Sequence, residues 1–168
     1  MDLFFAQSAY EVHMLFPRKA FTRWVSTCNS KHRSECMVLY AVLALGSIFN
    51  RSKFSSFATL CIERATYAAA NSYGRFNMAL VQTRLLLGVY SHMKGKDSLA
   101  YDYNGSALCA IGAMRLNLEE GCGLDLDVYA RRCYSFTSEQ LRECRRRTFW
   151  AAFLMDVSLD LPLTAAGY

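Results

Sequence analysis

The chain is short of everything that interrupts a helix. Its 168 residues include two prolines, Pro17 and Pro162, one near each end. Between them no pyrrolidine ring removes a backbone donor or clashes with the turn before it. No period-two alternation of apolar and polar residues is sustained, so strands are not expected. No apolar run reaches the roughly 18–20 residues that span a bilayer. The longest, Met37 to Phe49, is broken by Gly46 and Ser47 and reads as a buried helix. Met1-Asp2-Leu3-Phe4-Phe5 lacks the basic start and cleavage site of a secretory signal. Internal repeats and low-complexity tracts are lacking as well.

Chemistry-bearing patterns are equally scarce. The three histidines, 13, 32 and 92, lie far apart, and no nucleophile motif accompanies them. Gly74, Gly88 and Gly95 form no phosphate-cradling loop. Cys28, His32 and Cys36 follow one another at four-residue steps and would share one helical face, but no fourth zinc ligand is evident. The carboxylates Glu119/Glu120 and Asp125/Asp127 read as a solvated loop. Neither a catalytic residue, a cofactor site nor a metal site is assigned, and the chain is not expected to be an enzyme. The seven cysteines are odd in number and widely spaced in mostly apolar surroundings. There they act as small hydrophobes, which fits a reduced, intracellular compartment.

What is present is a helical core. At 53% hydrophobic and 20% charged residues, the chain is globular rather than disordered. The net charge of +5 is dispersed over the first two-thirds and reads as a solvated surface. Residues 1–16 are apolar and aromatic, and residues 18–33 are basic and mixed. Helices are expected over 35–49 with Ser34 as N-cap, over 54–72, over 77–93 with Gly95 closing it, and over 98–118 with Asp97 or Ser98 as cap. A long break over 119–137 precedes a last helix from Ser138 to about Leu161. The expected class is all-α, an irregular multi-helix bundle. Its parts are an N-terminal segment 1–33, a helical region 34–161 and a tail 162–168.

The last helix carries the strongest pattern. Glu143 and Arg147 are four apart and can pair. Arg145, Arg146 and Arg147 run into Thr148, Phe149, Trp150 and Phe153, and the segment closes on Asp156. From Thr148 onward it is apolar almost all round, which implies burial on most sides. A buried carboxylate would cost several kcal/mol without a partner. Asp156 is therefore expected to meet a polar or arginine partner from another helix, with Arg84 and Arg115 the candidates. The adjacent aromatics are needed for a core and Glu139 and Glu143 dilute the charge, so the arginines are not read as a nucleic-acid footprint.

Glu143, Arg145 to Arg147, Phe149, Trp150 and Asp156 resemble the signature of the fungal-specific transcription factor domain, the middle homology region of fungal zinc-cluster regulators. Asn77 to Tyr90, with Val81-Gln82 and Leu85-Leu86-Leu87, looks like that family's next most recognisable helix. Gly105 to Leu118 looks like the one that follows it. Val157 stands where the family has arginine, and Leu161-Pro162-Leu163 where it has a Gly-Arg-Pro turn. The resemblance therefore implies either a fragment of the domain or a shortened relative. It implies nuclear localisation, a regulatory role in transcription, and partners among other regulator segments, proteins or a small effector. DNA and zinc would be bound only through a cysteine cluster that this chain does not contain. No membrane partner is expected. An apolar patch left uncovered would favour self-association. The alternative is a standalone helical interaction or scaffold protein without DNA binding, and the third reading is a small helical enzyme.

Overall fold

His32 starts the first long helix. Its Nδ1 accepts the Ser34 N–H at 3.3 Å, while the Glu35 carboxylate accepts the His32 N–H at 2.8 Å. This reciprocal arrangement satisfies two of the amides that a helix start leaves without partners. In the computed structural model, which describes residues 1–7, 12–49, 51–72, 76–123 and 134–160, that helix is α3, Arg33–Ile48. Before it come α1, Asp2–Gln7, a 3₁₀ turn at Val12–Leu15, and α2, Arg18–Thr27. After it come α4 (Arg51–Ala70), α5 (Met78–Met93), α6 (Asp97–Ala113), the five-residue α7 (Glu119–Gly123) and α8 (Ser138–Asp160). No strand occurs among the described residues. The all-α expectation holds.

Several boundaries differ from the sequence reading for local reasons. The cap of α3 is His32 rather than Ser34, because Glu35 then sits where its carboxylate can reach back to the His32 amide. Asn77 caps α5 by accepting the Leu80 N–H at 2.9 Å. Gly95 ends the turn after α5 with φ +69°, a conformation glycine takes without steric cost. Lys96 precedes α6 without a side-chain cap; Asp97, its first residue, bonds His92 Nδ1 at 2.8 Å. Helix α6 stops at Ala113 rather than Leu118, since Arg115 turns into the left-handed region at φ 54°. The expected break over 119–137 contains α7 at its start. Its segment 124–133 lies outside the described residues, as does the tail 161–168.

Helices α3, α4, α5 and α6 form the central stack, with α8 across α5 and α6 and α1 over α3. The N-terminal residues contribute directly to the core: Phe4, Leu15, Phe16, Phe21 and Trp24 are buried in the same cluster as Leu45, Leu80, Leu85 and Ala152. One stripe of α5, Met78, Val81, Leu85 and Val89, is buried. On α6 the small residues divide: Ala100, Ala107 and Ala110 face the core, whereas Gly105 and Gly112 border open space.

Gly121 in α7 is held by close approach. A Cβ there would meet the Arg115 carbonyl oxygen at 1.8 Å. Gly121→Ala must therefore push α7 away from the α6–α7 turn. The expected loss is about 1–3 kcal/mol, the usual scale of overpacking. Denaturant unfolding checks it, and an unchanged midpoint would show that α7 yields without strain.

Candidate functional site

Two of the sequence motifs, those of α5 and α8, meet at one buried side chain, Gln82 of α5. Its Nε2 donates to Thr148 Oγ1 and to Cys144 Sγ of α8, both at 3.1 Å. Its Oε1 accepts the Tyr134 hydroxyl at 2.8 Å. Thr148 donates onward to the Cys144 carbonyl at 2.8 Å, and the Cys144 thiol donates to the Leu15 carbonyl at 3.1 Å. Gln82 and Thr148 are fully buried. A buried amide is costly unless paired, and this one is paired at both ends.

Tyr134 is the second centre. Its amide donates to Glu35 Oε1 at 2.6 Å, so the same carboxylate that starts α3 also anchors the turn leading into α8. Tyr134 and Ser135 both adopt positive φ, 56° and 53°, which is unfavourable for residues with a Cβ. The Glu35 bond, the Gln82 bond and a collar of Phe16, Phe21, Trp24 and Phe136 rings, 5.0–5.6 Å from the tyrosine ring, hold that conformation. Thr137 then opens α8: its Oγ1 accepts the Gln140 amide at 3.2 Å, and Gln140 Oε1 accepts the Thr137 amide at 3.1 Å.

Beside this turn, between α2 and the start of α8, lies an open cleft of about 530 Å³. Lys19 and Arg23, one turn apart on α2, stand at its wall. Trp24 and Tyr134 contribute rings, and Thr27 and Gln140 contribute polar groups.

The signature residues separate by role. Arg145 is buried, 6% exposed. Arg146 crosses to α7, with its Nε donating to Glu119 Oε2 at 3.1 Å and a second nitrogen bonding the other carboxylate oxygen. The hydrogen bond from Arg146 holds the Glu119 carboxyl below its ordinary range. Arg147 pairs with Glu143 at 2.7 Å, the expected four-residue pair. Phe149 is half-buried against the core.

Two expectations about α8 are corrected. The helix is not buried on most sides: Trp150 is 57% exposed and Phe153 47%, with Leu154 and Val157 beside them. The core is closed instead by the single face of Leu141, Cys144, Thr148, Ala152 and Met155. Asp156 is likewise exposed rather than buried; it has the expected polar partner on another helix, but that partner is Asn104 of α6, whose Nδ2 donates at 3.0 Å, and not an arginine. Its carboxylate keeps contact with water and needs no cation. Arg84 donates instead to the Ser106 carbonyl at 3.0 Å, and Arg115 lies in the left-handed turn that ends α6. Asp156→Asn preserves an oxygen for Asn104 and should change the stability of the dilute protein by less than about 0.5 kcal/mol. A larger drop in melting temperature would restore the case for a charge partner.

Cys28, His32 and Cys36 do not share a helical face. They fall at the end of α2, at the cap of α3 and inside α3, where Cys28 Sγ donates to the Ser30 carbonyl at 3.2 Å. No group of three or more metal-capable side chains occurs among the described residues. Burial raises the thiol pKa of Cys36, Cys61 and Cys122, which suits packing rather than nucleophilic chemistry. No helix among the described residues is long and apolar enough to cross a membrane.

Glu35 and Tyr134 were not singled out from sequence, and Gln82 entered only as part of the α5 motif. A polar residue inside the apolar stripe of α5 was the available signal for Gln82. No local pattern pointed to Tyr134.

With α5 and α8 joined through their motif residues, the comparison with known proteins is direct. Residues 1–160 match the fungal specific transcription factor domain. The chain belongs to this family. An uncharacterised transcriptional regulatory protein of Schizosaccharomyces pombe is 34% identical over 128 residues, covering 71% of this chain and 13% of the relative. The chain thus spans a small part of that relative's length. No solved structure matches it. In this fungal transcription factor domain, the arginine-rich signature is partly an α8–α7 clasp and partly core. The acidic residue that closes the signature is a surface group tied to α6.

Proposed function

We propose that this chain is a regulatory, non-catalytic helical domain of a nuclear transcription regulator. It acts by interaction with other segments of a regulator or with partner proteins. The observation that carries the reading is the family match over residues 1–160, joined to a buried Gln82–Thr148–Tyr134 network that gives the motif residues a structural role. A domain whose signature residues hold helices together presents surfaces rather than reacting groups. DNA contact, on this reading, belongs to a separate cysteine-cluster segment and not to the signature arginines of α8, of which Arg145 is buried and Arg146 and Arg147 are paired.

Fusing the chain to an unrelated DNA-binding domain tests the proposal. The fusion should change output from a reporter bearing that domain's site, and a Gln82→Leu fusion should lose the effect in step with folding. Output equal to that of the bare DNA-binding domain would count against regulation by this chain. Sequence-specific DNA retention by the unfused chain would overturn the division of labour.

A second reading, regulation by a small organic anion, is favoured by the cleft that Lys19, Arg23, Trp24 and Tyr134 line together. Binding there should raise the melting temperature of the wild type and not of the Lys19→Ala, Arg23→Ala variant. A panel of organic anions that shifts neither protein removes this reading.

A further inference from the structure

Between Glu11 and Glu35 the chain carries no acidic residue, yet it carries Arg18, Lys19, Arg23, Lys31 and Arg33. Helix α2 lies within this basic stretch. Some of the cations are already committed. Arg18 faces Asp2 at 3.9 Å, and Lys31 donates to the Val25 carbonyl at 3.1 Å and lies over the Trp24 ring. Lys19 and Arg23 are exposed and have neither an ion pair nor a side-chain hydrogen bond among the described residues. Both line the cleft between α2 and the turn into α8. The carboxylates of the surrounding elements do not neutralise them. Helix α2 has none, Glu35 holds two backbone amides, and Glu139 in the first turn of α8 stands outside the lining. Unlike the paired Arg146 and Arg147, these two charges are left for another molecule to meet.

The cleft has a direction and a length. Lys19, Arg23 and Thr27 follow at four-residue steps and form one line along α2. At about 1.5 Å per residue, Lys19 and Arg23 stand about 6 Å apart along the axis, and the line from Lys19 to Thr27 covers about 12 Å. An extended peptide sets alternate side chains on one face about 6.6 Å apart, so three or four residues fill that length. Carboxylates at alternate positions of such a segment come level with both cations. Carboxylates at adjacent positions point to opposite faces and cannot. The facing wall offers hydrogen bonds to a peptide backbone. Ser135 is exposed there, and Gln140, whose Oε1 takes the Thr137 amide, keeps its amino group to donate to a carbonyl. The floor is firm, since Trp24 and Tyr134 are buried and pack edge to face, 5.0 Å between ring centres. Phosphates of a nucleic-acid strand repeat at a similar distance, but firm binding there draws on many cations, and this cleft offers two.

We propose that the cleft seats an extended acidic segment of a partner protein, with carboxylates at alternate positions pairing with Lys19 and Arg23. The proposal rests on the reading of this chain as an interaction domain and names the chemistry of the partner. Ion pairs at an open cleft are individually weak, so the contact is salt-sensitive and its selectivity lies in the spacing of the two charges.

Fluorescence anisotropy of a labelled eight-residue peptide, titrated with the full chain at low salt, tests it. The peptide holds two aspartates separated by one serine, in a glycine and serine background. It should bind with a Kd below about 1 mM. The same peptide with its aspartates adjacent should bind at least about threefold more weakly. Lys19→Ala, Arg23→Ala should weaken binding about tenfold, the worth of two exposed pairs. Its circular dichroism should be unchanged because both side chains are exposed. Arg33→Ala removes a charge from the same basic stretch but not from the cleft, and should leave binding within about twofold. The peptide comparison uses the wild type alone, so the proposal stays falsifiable if the double variant does not fold. No binding by millimolar peptide overturns it, and so does equal affinity for the two spacings or indifference to the double variant. Competition by a free dicarboxylate at the peptide's own concentration would give the cleft to a small anion instead. Stronger competition by a single-stranded oligonucleotide would give it to nucleic acid. The reporter fusion reads the regulatory role separately. An active fusion without peptide binding sinks only the acidic partner, and peptide binding with a silent fusion sinks only the regulatory role.

Discussion

Gln82→Leu should cost the fold about 2–4 kcal/mol, although the two side chains are similar in volume. Gln82 is fully buried and serves three partners on two segments: Thr148 and Cys144 of α8, and the Tyr134 hydroxyl. Leucine restores the apolar contacts but withdraws the carbonyl that accepts the Tyr134 proton. It also withdraws the amide that Thr148 and Cys144 accept. Buried groups deprived of partners lose about 1–3 kcal/mol each, and a lost network is among the few causes of large effects. Chemical denaturation of the single variants Gln82→Leu and Tyr134→Phe and of the double variant separates the parts. Because one bond is shared, the double should fall short of the sum by about 1 kcal/mol. Strict additivity would mean that Gln82 and Tyr134 act independently.

Glu35→Ala should be comparably damaging, about 3 kcal/mol, for a different reason. Its two oxygens accept two backbone amides, His32 at the start of α3 and Tyr134 almost a hundred residues later. Loss of the first removes half of a helix cap, worth about 1 kcal/mol. Loss of the second releases a buried amide and the restraint on two consecutive left-handed residues, each unfavourable by about 1 kcal/mol or more. Hydrogen exchange should show the damage spreading from His32–Cys36 to Tyr134–Gln140, a segment distant in sequence. Glu35→Gln tests the same point more gently. Its side chain offers one acceptor and one amino group, so one of the two amides must face a donor, and a destabilisation of about 1–2 kcal/mol should remain. Protection lost only around α3 would show that Tyr134 is held by its aromatic collar alone.

These two residues also show where reading a sequence succeeds and where it stops. Periodicity located α3, α5 and α8 to within a few residues because an apolar stripe with a 3.6-residue period needs no knowledge of its neighbour. Gly95 marked the end of α5 for an equally local reason: it takes a left-handed turn at no cost. The Glu143–Arg147 pair followed from spacing on one helix. Asp156 found a polar partner on another helix, as expected, but neither its exposure nor that partner's identity could be inferred from its own helix. Its exposure was set by where α6 lies, and Asn104 supplied the bond that an arginine was expected to make. The same error made α8 look buried all round, since hydrophobicity says which faces prefer burial but not which ones a neighbour covers.

Composition and spacing by themselves determined that the chain is helical, that its core is apolar, and that the arginine-to-aspartate segment is one helix. Those properties arise within a few turns of chain. Only the tertiary structure decided that Glu35 governs Tyr134, that Gln82 joins α5 to α8, and that Trp150 and Phe153 face outward. Each depends on groups brought together across long stretches of sequence, and a buried polar group's choice of partner exists only once the helices that surround it have packed.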